Sequence, residues 1–229
     1  MRTLIIGDIH GCSGALRRLL QKFDPGSAED RLILLGDLFD RGPDSWQVLQ
    51  DVKKLEAAWQ DRFVLLRGNH EDYLFQKKMT IPMRMMWDRV GRMATVRSFQ
   101  EHGERMEDCA SWLQEHSVLF YKDPRFCCVH AGMVVFPPEV NDLYTLLHDH
   151  DIVLENRYKG PLAITGHIAL PSAVWFAGDK KTAEKLPAEK WQSLPRTGTI
   201  CIDTGCGKGG SLTGMLIEGD QYLLRSAEE

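Results

Sequence analysis

One pattern occurs three times in the first seventy residues and leaves little freedom in the choice of fold. A short apolar run ends in a glycine-framed group of Asp, His or Asn, and a helix-periodic stretch follows. Residues 3–7 (TLIIG) precede Asp8 and His10, and residues 31–36 (RLILLG) precede Asp37, Asp40 and Arg41. Residues 62–66 (RFVLL) precede Gly68, Asn69 and His70. Between the runs, residues 13–23 place Leu16, Leu19, Leu20 and Phe23 on one helical stripe, ended by Pro25-Gly26. Residues 44–59 form a second stripe with Asp44 at the N-cap position, and a third helix starts at Asn69 and runs toward Lys78. Strand, helix, strand, helix, strand at about 30 residues per unit predicts parallel strands joined by crossover helices.

The remainder departs from this rhythm. Residues 79–116 carry a Met- and Trp-rich run followed by helical patterns, which predicts a helical insertion or cap. Beyond Ser117 the chain reads as strands. VLFY (118–121) and FCCVH (126–130) flank KDPR as a hairpin, and residues 140–147 read as a short helix. Further strands fall near 162–165, 173–176, 199–203, 212–218 and 221–225, the last two joined at Gly219-Asp220. The polar segment 180–196 reads as a solvated loop. The expectation is an α/β fold in a single domain spanning 1–229, with two sheets packed face to face and helices outside. A net charge of −4 argues against non-specific nucleic-acid binding. No apolar run approaches the roughly 18 residues of a membrane helix. The apolar run after Met1 is too short for a signal peptide and is broken by Asp8, so it reads as a strand. The six cysteines form no CxxC pair and read as free, reduced, buried thiols of a cytoplasmic protein.

The glycine-framed ends number five once His130-Ala131-Gly132 and Gly166-His167 are added. Sites in open α/β sheets form beyond the carboxyl ends of strands. Asp8, His10, Asp37, Asn69, His130 and His167 offer carboxylate, imidazole and amide oxygen, a mixed set suited to Mn, Fe or Zn. Six ligands are too many for one tetrahedral ion and suit two ions about 3.5–4 Å apart. Asp37, on the middle strand, is the expected shared carboxylate. Asp40 is then placed to hydrogen-bond His70, fix its tautomer and raise its basicity, so that a protonated His70 can serve a leaving oxygen. Arg41 and Arg67 offer forked donors to phosphate. Glu71 reads as a partner in a helix's first turn. His148 and His150 read as surface or packing residues, and the 83–87 Met/Trp run as packing.

GDIHG (7–11), GDLFDRG (36–42), GNHE (68–71), HAG (130–132) and GH (166–167) together resemble the ordered signature of the calcineurin-like metallophosphoesterases. More narrowly they resemble the bacterial phosphoprotein phosphatase branch, as does IDTGCGKGGSLTGM (202–215). The resemblance implies a four-layer sandwich of two mixed β-sheets flanked by helices, with a binuclear metal site. It implies that Asp8, His10 and His167 bind one ion, that Asn69 and His130 bind the other, and that Asp37 bridges. His70 becomes the general acid with Asp40 behind it, Arg41 holds phosphate, and metal-bound water attacks phosphorus directly. Three departures bear on substrate choice. Arg157 stands near, and Glu155 at, the position of a second phosphate-binding arginine. Ile168-Ala169-Leu170 follows the GH motif where Thr-Pro is usual, and Lys208 replaces an aromatic residue.

The expected function is a metal-dependent phosphomonoesterase acting on phosphorylated serine or threonine of proteins, or on small phosphoesters. Two divalent ions are required, manganese first, with iron, zinc or nickel as alternatives. GDIHGC and RGPDS also resemble the branch that hydrolyses diadenosine tetraphosphate or capped RNA ends. That branch commonly lacks the residue equivalent to Asp40, which favours monoester chemistry. A silent metal-binding interaction module is the reading of another class, and the full ligand set argues against it.

Overall fold

The computed structural model describes residues 1–23, 29–76, 78–178 and 183–229. The expected Pro25-Gly26 break, Lys77 in the third helix and residues 180–182 of the polar segment lie outside the described residues. The first part of the chain contains β1 (Arg2–Ile6), α1 (Ser13–Phe23), β2 (Arg31–Leu34), α2 (Ser45–Trp59), β3 (Phe63–Leu66) and α3 (Asn69–Phe75). Next come α4 (Ile81–Arg89), α5 (Arg92–Gln100) and α6 (Ala110–His116), then β4 (Ser117–Val118), β5 (Phe120–Lys122) and β6 (Cys127–Val129). The chain continues through α7 (Leu143–Leu147), α8 (Asp151–Leu154), β7 (Ala163–Thr165), β8 (Val174–Phe176), β9 (Glu184–Lys185) and β10 (Gln192–Ser193). It closes with β11 (Thr199–Cys201), β12 (Ser211–Glu218) and β13 (Gln221–Glu228).

The strands form two mixed sheets, ordered β10-β13-β12-β1-β2-β3-β4 and β5-β6-β7-β11-β8-β9. In the first sheet β1, β2, β3 and β4 are mutually parallel, and β12 and β13 add an antiparallel hairpin beside β1. In the second, β6, β7 and β11 are parallel. The period-2 alternation of side chains assigns the layers. Leu4 and Ile6 of β1 face the helices, packing in one cluster with Leu16, Leu19, Val48, Leu49 and Val52. Ile5 faces the second sheet and joins Ile33, Leu66, Cys128, Ile164 and Ile200. On the far side of the second sheet, Cys127, Val129 and Ala163 pack against Leu146, Leu147 and Ile152 of α7 and α8. The result is helix, sheet, sheet, helix. Each such fully buried aliphatic side chain contributes about 1.5–3 kcal/mol. The adjacent Cys127 and Cys128 face opposite sides of β6, as a strand requires.

Three local expectations are revised. The run 118–121 is not one strand: Val118 pairs with Leu66 in the first sheet, whereas Phe120 pairs with Val129 in the second. The chain changes sheet at Leu119, which an apolar run alone does not reveal. The third helix stops at Phe75, because Gln76 takes an extended backbone (φ −70°, ψ 105°). The polar segment supplies two short strands, β9 and β10, at the outer edges of the two sheets. Residues 79–116 hold α4, α5, a 3-10 turn at Met106–Cys109 and α6, between β3 and β4.

Candidate metal centre

Because β1, β2 and β3 run parallel in one sheet, and β6, β7 and β11 in the other, their carboxyl ends meet along one edge of the sandwich. Hydrogen bonds stitch the strand ends together there, within each set and between the two. Ile9 and His10 N–H donate to the Asp37 carbonyl (3.0 and 2.9 Å), Gly166 N–H to the His130 carbonyl (2.9 Å), and His167 N–H to Asp8 Oδ2 (2.8 Å). The turns are sharp. His10, Asp37, Asp40, Arg41 and His167 all have positive φ, between 45° and 70°. Such a backbone costs about 1–3 kcal/mol per non-glycine residue and persists only where surrounding contacts over-determine it. Two glycines permit the close approach. A Cβ on Gly68 would lie 2.1 Å from Asp37 Oδ1, and one on Gly166 would lie 1.9 Å from Asp8 Oδ1.

Three imidazoles each have one nitrogen fixed by a backbone carbonyl. His10 Nδ1–H donates to Phe39 O (2.8 Å), His130 Nδ1–H to Leu35 O (2.8 Å), and His167 Nε2–H to His148 O (3.3 Å). Their other nitrogens carry lone pairs and face the cluster. His130 Nε2 lies 3.0 Å from Asn69 Oδ1 and 3.4 Å from Asp37 Oδ1, and His167 Nδ1 lies 2.9 Å from Asn69 Oδ1. His10 Nε2 lies 3.6 Å from Asp37 Oδ2. Acceptor facing acceptor is repulsive unless a cation stands between them. Asp8 Oδ1 is buried with no hydrogen-bond partner among the described residues, an oxygen that a cation would satisfy. These residues fit a pair of divalent ions.

The electrostatics separate four histidines into two kinds. Burial holds His10, His130 and His167 below the ordinary imidazole range, reinforced by His70 at His10 and by His130 at His167, so these three are neutral donors. Burial also works against a charged His70, but Asp37 and Asp40 outweigh it and raise His70 above its ordinary value. Burial opposes the charge of Asp37 too, yet once acid protonates the imidazoles around it, His130, His70, His10 and His167 together hold it below the carboxylate range. Asp8 is held well above that range by burial, then by Asp203 and Asp37.

His70 Nδ1 lies 2.6 Å from Asp40 Oδ2. Asp40 is itself clamped: Trp87 Nε1–H donates to Oδ2 (2.6 Å) and Thr95 Oγ1–H to Oδ1 (2.7 Å). Arg41 Nη1 contacts His10 Nε2, and Nη2 lies 3.3 Å from His70 Nε2. Glu71, buried, accepts from the backbone N–H groups of Asp37, Leu38 and Gly68 (2.8, 2.8 and 2.9 Å). It holds the β2 and β3 turns together, and burial followed by Asp37 pushes its carboxyl up to about 7.

The structure thus brings Asp8, His10, Asp37, Asn69, His130 and His167 together, but it divides them differently from the expectation. The His167 ring groups with Asp37 and His130 and with the Asn69 oxygen, not with Asp8 and His10. The reason is local. At φ 67° the His167 N–H turns toward Asp8 while the ring projects to the other side.

Arg157 is not brought in. Asn156 reverses the chain at φ 50° and anchors its amide on the Ala177 carbonyl (2.7 Å), and Arg157 is left exposed, paired with Glu155 (2.6 Å). Arg67 stands at the rim, 4.0 Å from Asp72 and over the Phe75 ring. His148 and His150 belong to the wall behind His167: the His148 carbonyl orients it, and the His150 ring lies 4.2 Å away, centroid to centroid.

Sequence reasoning missed Trp87 and Thr95, whose roles are tertiary contacts with no local signal. It also missed Asp203, which carries the same signature as the others: an apolar run (TICI) ending in Asp, with glycine two residues on.

Hard oxygen donors and neutral imidazoles around adjoining cation positions, with an arginine fork and a buried His–Asp pair beside them, define a metal-dependent phosphoric ester hydrolase. The chain belongs to the calcineurin-like phosphoesterase family, whose sequence profile matches residues 1–198. That family depends on a dinuclear metal centre. The chain is 29% identical over 288 aligned positions to a symmetrical bis(5'-nucleosyl)-tetraphosphatase of Photorhabdus laumondii, covering 99% of this chain and 98% of the relative. It is 28% identical over 281 positions to the protein of the same name in Pseudomonas fluorescens, covering 97% and 94%. Among solved structures, a metallophosphoesterase from Sphaerobacter thermophilus superposes with a TM-score of 0.63 at 17% identity, covering 100% of this chain and 89% of that one. A protein serine/threonine phosphatase from Saccharomyces cerevisiae superposes at 0.64 with 14% identity, covering 100% and 80%. At such identities the structural likeness bears on the fold alone. No helix among the described residues is long and apolar enough to cross a membrane.

Proposed function

We propose that the protein is a phosphomonoesterase of phosphorylated serine and threonine side chains, with His70 as general acid. The observation that carries this reading is the buried His70–Asp40 pair at 2.6 Å, with Asp40 held by Trp87 and Thr95. Asp8, His10 and Asp37 would hold one divalent ion, and Asp37, Asn69, His130 and His167 the other, with manganese the first metal to try. When bound, the two ions supply an acidified water and charge compensation for phosphoryl oxygens. The chain's own groups do the rest. Carbonyl-fixed His10, His130 and His167 stay neutral with one lone pair each turned inward. Arg41 presents its fork beside His10 and His70, where it can take two phosphate oxygens and orient the ester. Arg67 is an outer contact for the substrate at the rim. His70 donates its proton to the departing alkoxide oxygen, and Asp40 stabilises the imidazolium before transfer. Six free, buried cysteines support a reducing compartment, and with it the cytoplasm.

A second reading, hydrolysis of dinucleoside tetraphosphates, is favoured by the names of the curated relatives that match nearly the whole chain. A paired assay decides between them. Manganese-loaded protein is given a phosphoseryl peptide and diadenosine tetraphosphate at matched concentrations. The first reading expects the higher kcat/KM on the peptide, with activity abolished by chelation. A clear preference for the dinucleotide establishes the second.

A further inference from the structure

Asp203 is a buried carboxylate at the same edge with no role in the site so far beyond its repulsion of the Asp8 charge. β11 runs parallel to β7, so its carboxyl end delivers Asp203 beside the turn that carries Gly166 and His167. Ile202 N–H extends the ladder onto the Thr165 carbonyl (2.9 Å), and Leu170 N–H closes onto the Asp203 carbonyl (3.1 Å). Asp203 is 1% exposed. Its Oδ1 accepts the Gly205 N–H (2.9 Å), whereas Oδ2 is buried with no hydrogen-bond partner among the described residues. Asp8 shows the same state, one oxygen held and the other without a partner. Two neighbouring buried carboxylates, each with an open oxygen, are strongly unfavourable as a pair of anions unless a proton or a cation compensates them, and a cation can serve both oxygens at once. The position of the His167 ring sharpens the point. With His167 beside His130 and Asn69, the other ion is left with Asp8, His10 and the shared Asp37 among the ligands assigned above, since His70, which clusters with His10 and Asp37, is held by Asp40.

We propose that Asp203 is a positioning carboxylate of the metal centre, its Oδ2 drawing in the cation on the Asp8–His10 side or that cation's water shell. The proposal rests on the two-ion reading of the site. The competing role is structural: Asp203 pins the glycine-rich turn through Gly205 and does nothing else. Asp203→Asn separates the two, because its amide oxygen still accepts from Gly205 while the charge is gone.

The test titrates chelator-stripped wild type and Asp203→Asn with Mn²⁺, reading free Mn²⁺ by electron paramagnetic resonance. Wild type is expected to bind two equivalents. Asp203→Asn is expected to weaken one equivalent by about tenfold or more and leave the other unchanged, the scale typical of groups that support metal ligands. Thermal unfolding gives an independent readout. Metal-free Asp203→Asn is expected to melt at or above metal-free wild type, since two like charges no longer oppose each other, and to gain less from added Mn²⁺. Asp203→Ser serves the same comparison if the amide variant fails to accumulate. Two equivalents at wild-type affinity in the variant would overturn the proposal, and a lower metal-free Tm alongside would assign Asp203 to the structural pin. A wild type that binds fewer than two equivalents would overturn the two-ion reading itself, and this proposal with it.

Discussion

His70 Nδ1 and Asp40 Oδ2 lie 2.6 Å apart across two strand ends, with both side chains almost wholly buried. A buried carboxylate at that distance favours the imidazolium, which is the form a general acid needs. His70→Asn is expected to lower kcat by on the order of 10²-fold or more while two equivalents of metal stay bound. Steady-state kinetics with metal analysis checks this, and loss of metal would show that His70 is a ligand instead.

The pH profile follows from the same pair. Burial lowers His70, but Asp37 and Asp40 raise it further, so the protonated acid persists above the ordinary imidazole value. Activity that requires the proton is present below the shifted pKa and is lost as pH rises through it. Asp40→Asn removes one raising charge, so the alkaline limb of kcat is expected to move to lower pH. An alkaline limb that stays in place in Asp40→Asn would exclude His70 as its origin.

Trp87 connects the helical segment to the chemistry. Its indole N–H donates to the same Asp40 oxygen that faces His70, while its ring stacks on Tyr73 at 5.3 Å. Trp87→Phe keeps much of the packing and deletes the donor. A hydrogen bond to a charged group is worth about 1.5–3 kcal/mol, so a similar loss of stability is expected by chemical denaturation. A fall in kcat with KM little changed is the accompanying kinetic result. Unchanged kcat would confine Trp87 to a packing role.

Gly166 tests how closely the sheets must approach. A methyl group there would overlap Asp8 Oδ1, which has no room to retreat in a buried site. Gly166→Ala is expected to fold with impaired metal binding on the Asp8 side, measurable as reduced metal content after dialysis. Full occupancy in this variant would mean that Asp8 is not needed as a ligand.

Two of the three arginines of the sequence reading, Arg41 and Arg157, should part company. Arg41 contacts the imidazoles, whereas Arg157 is exposed and paired with Glu155. Arg41→Ala is expected to cut kcat/KM by roughly 10²-fold, the scale of a lost charge-assisted phosphate contact. Arg157→Ala is expected to leave kcat/KM within about twofold, as for an exposed ion pair. Comparable losses in both would place substrate across a wider surface than the strand ends.

What the sequence determined by itself is everything local. The apolar runs of β1, β2 and β3, the helical stripes between them and the glycine-framed strand ends are short-range patterns, and they place Asp8, His10, Asp37, Asn69, His130 and His167 at one edge. Hydrogen bonding between His70 and Asp40 was legible too, once those two strand ends were known to be neighbours. Tertiary structure decided the rest. The side to which the His167 ring turns depends on one positive φ angle. The clamp on Asp40 depends on Trp87 and Thr95, 47 and 55 residues away along the chain. The withdrawal of Arg157 depends on the anchoring of Asn156 to a distant carbonyl. Periodicity and turn chemistry encode neighbours along the chain, whereas these contacts arise only when separate elements pack, so no local pattern in the sequence carries them.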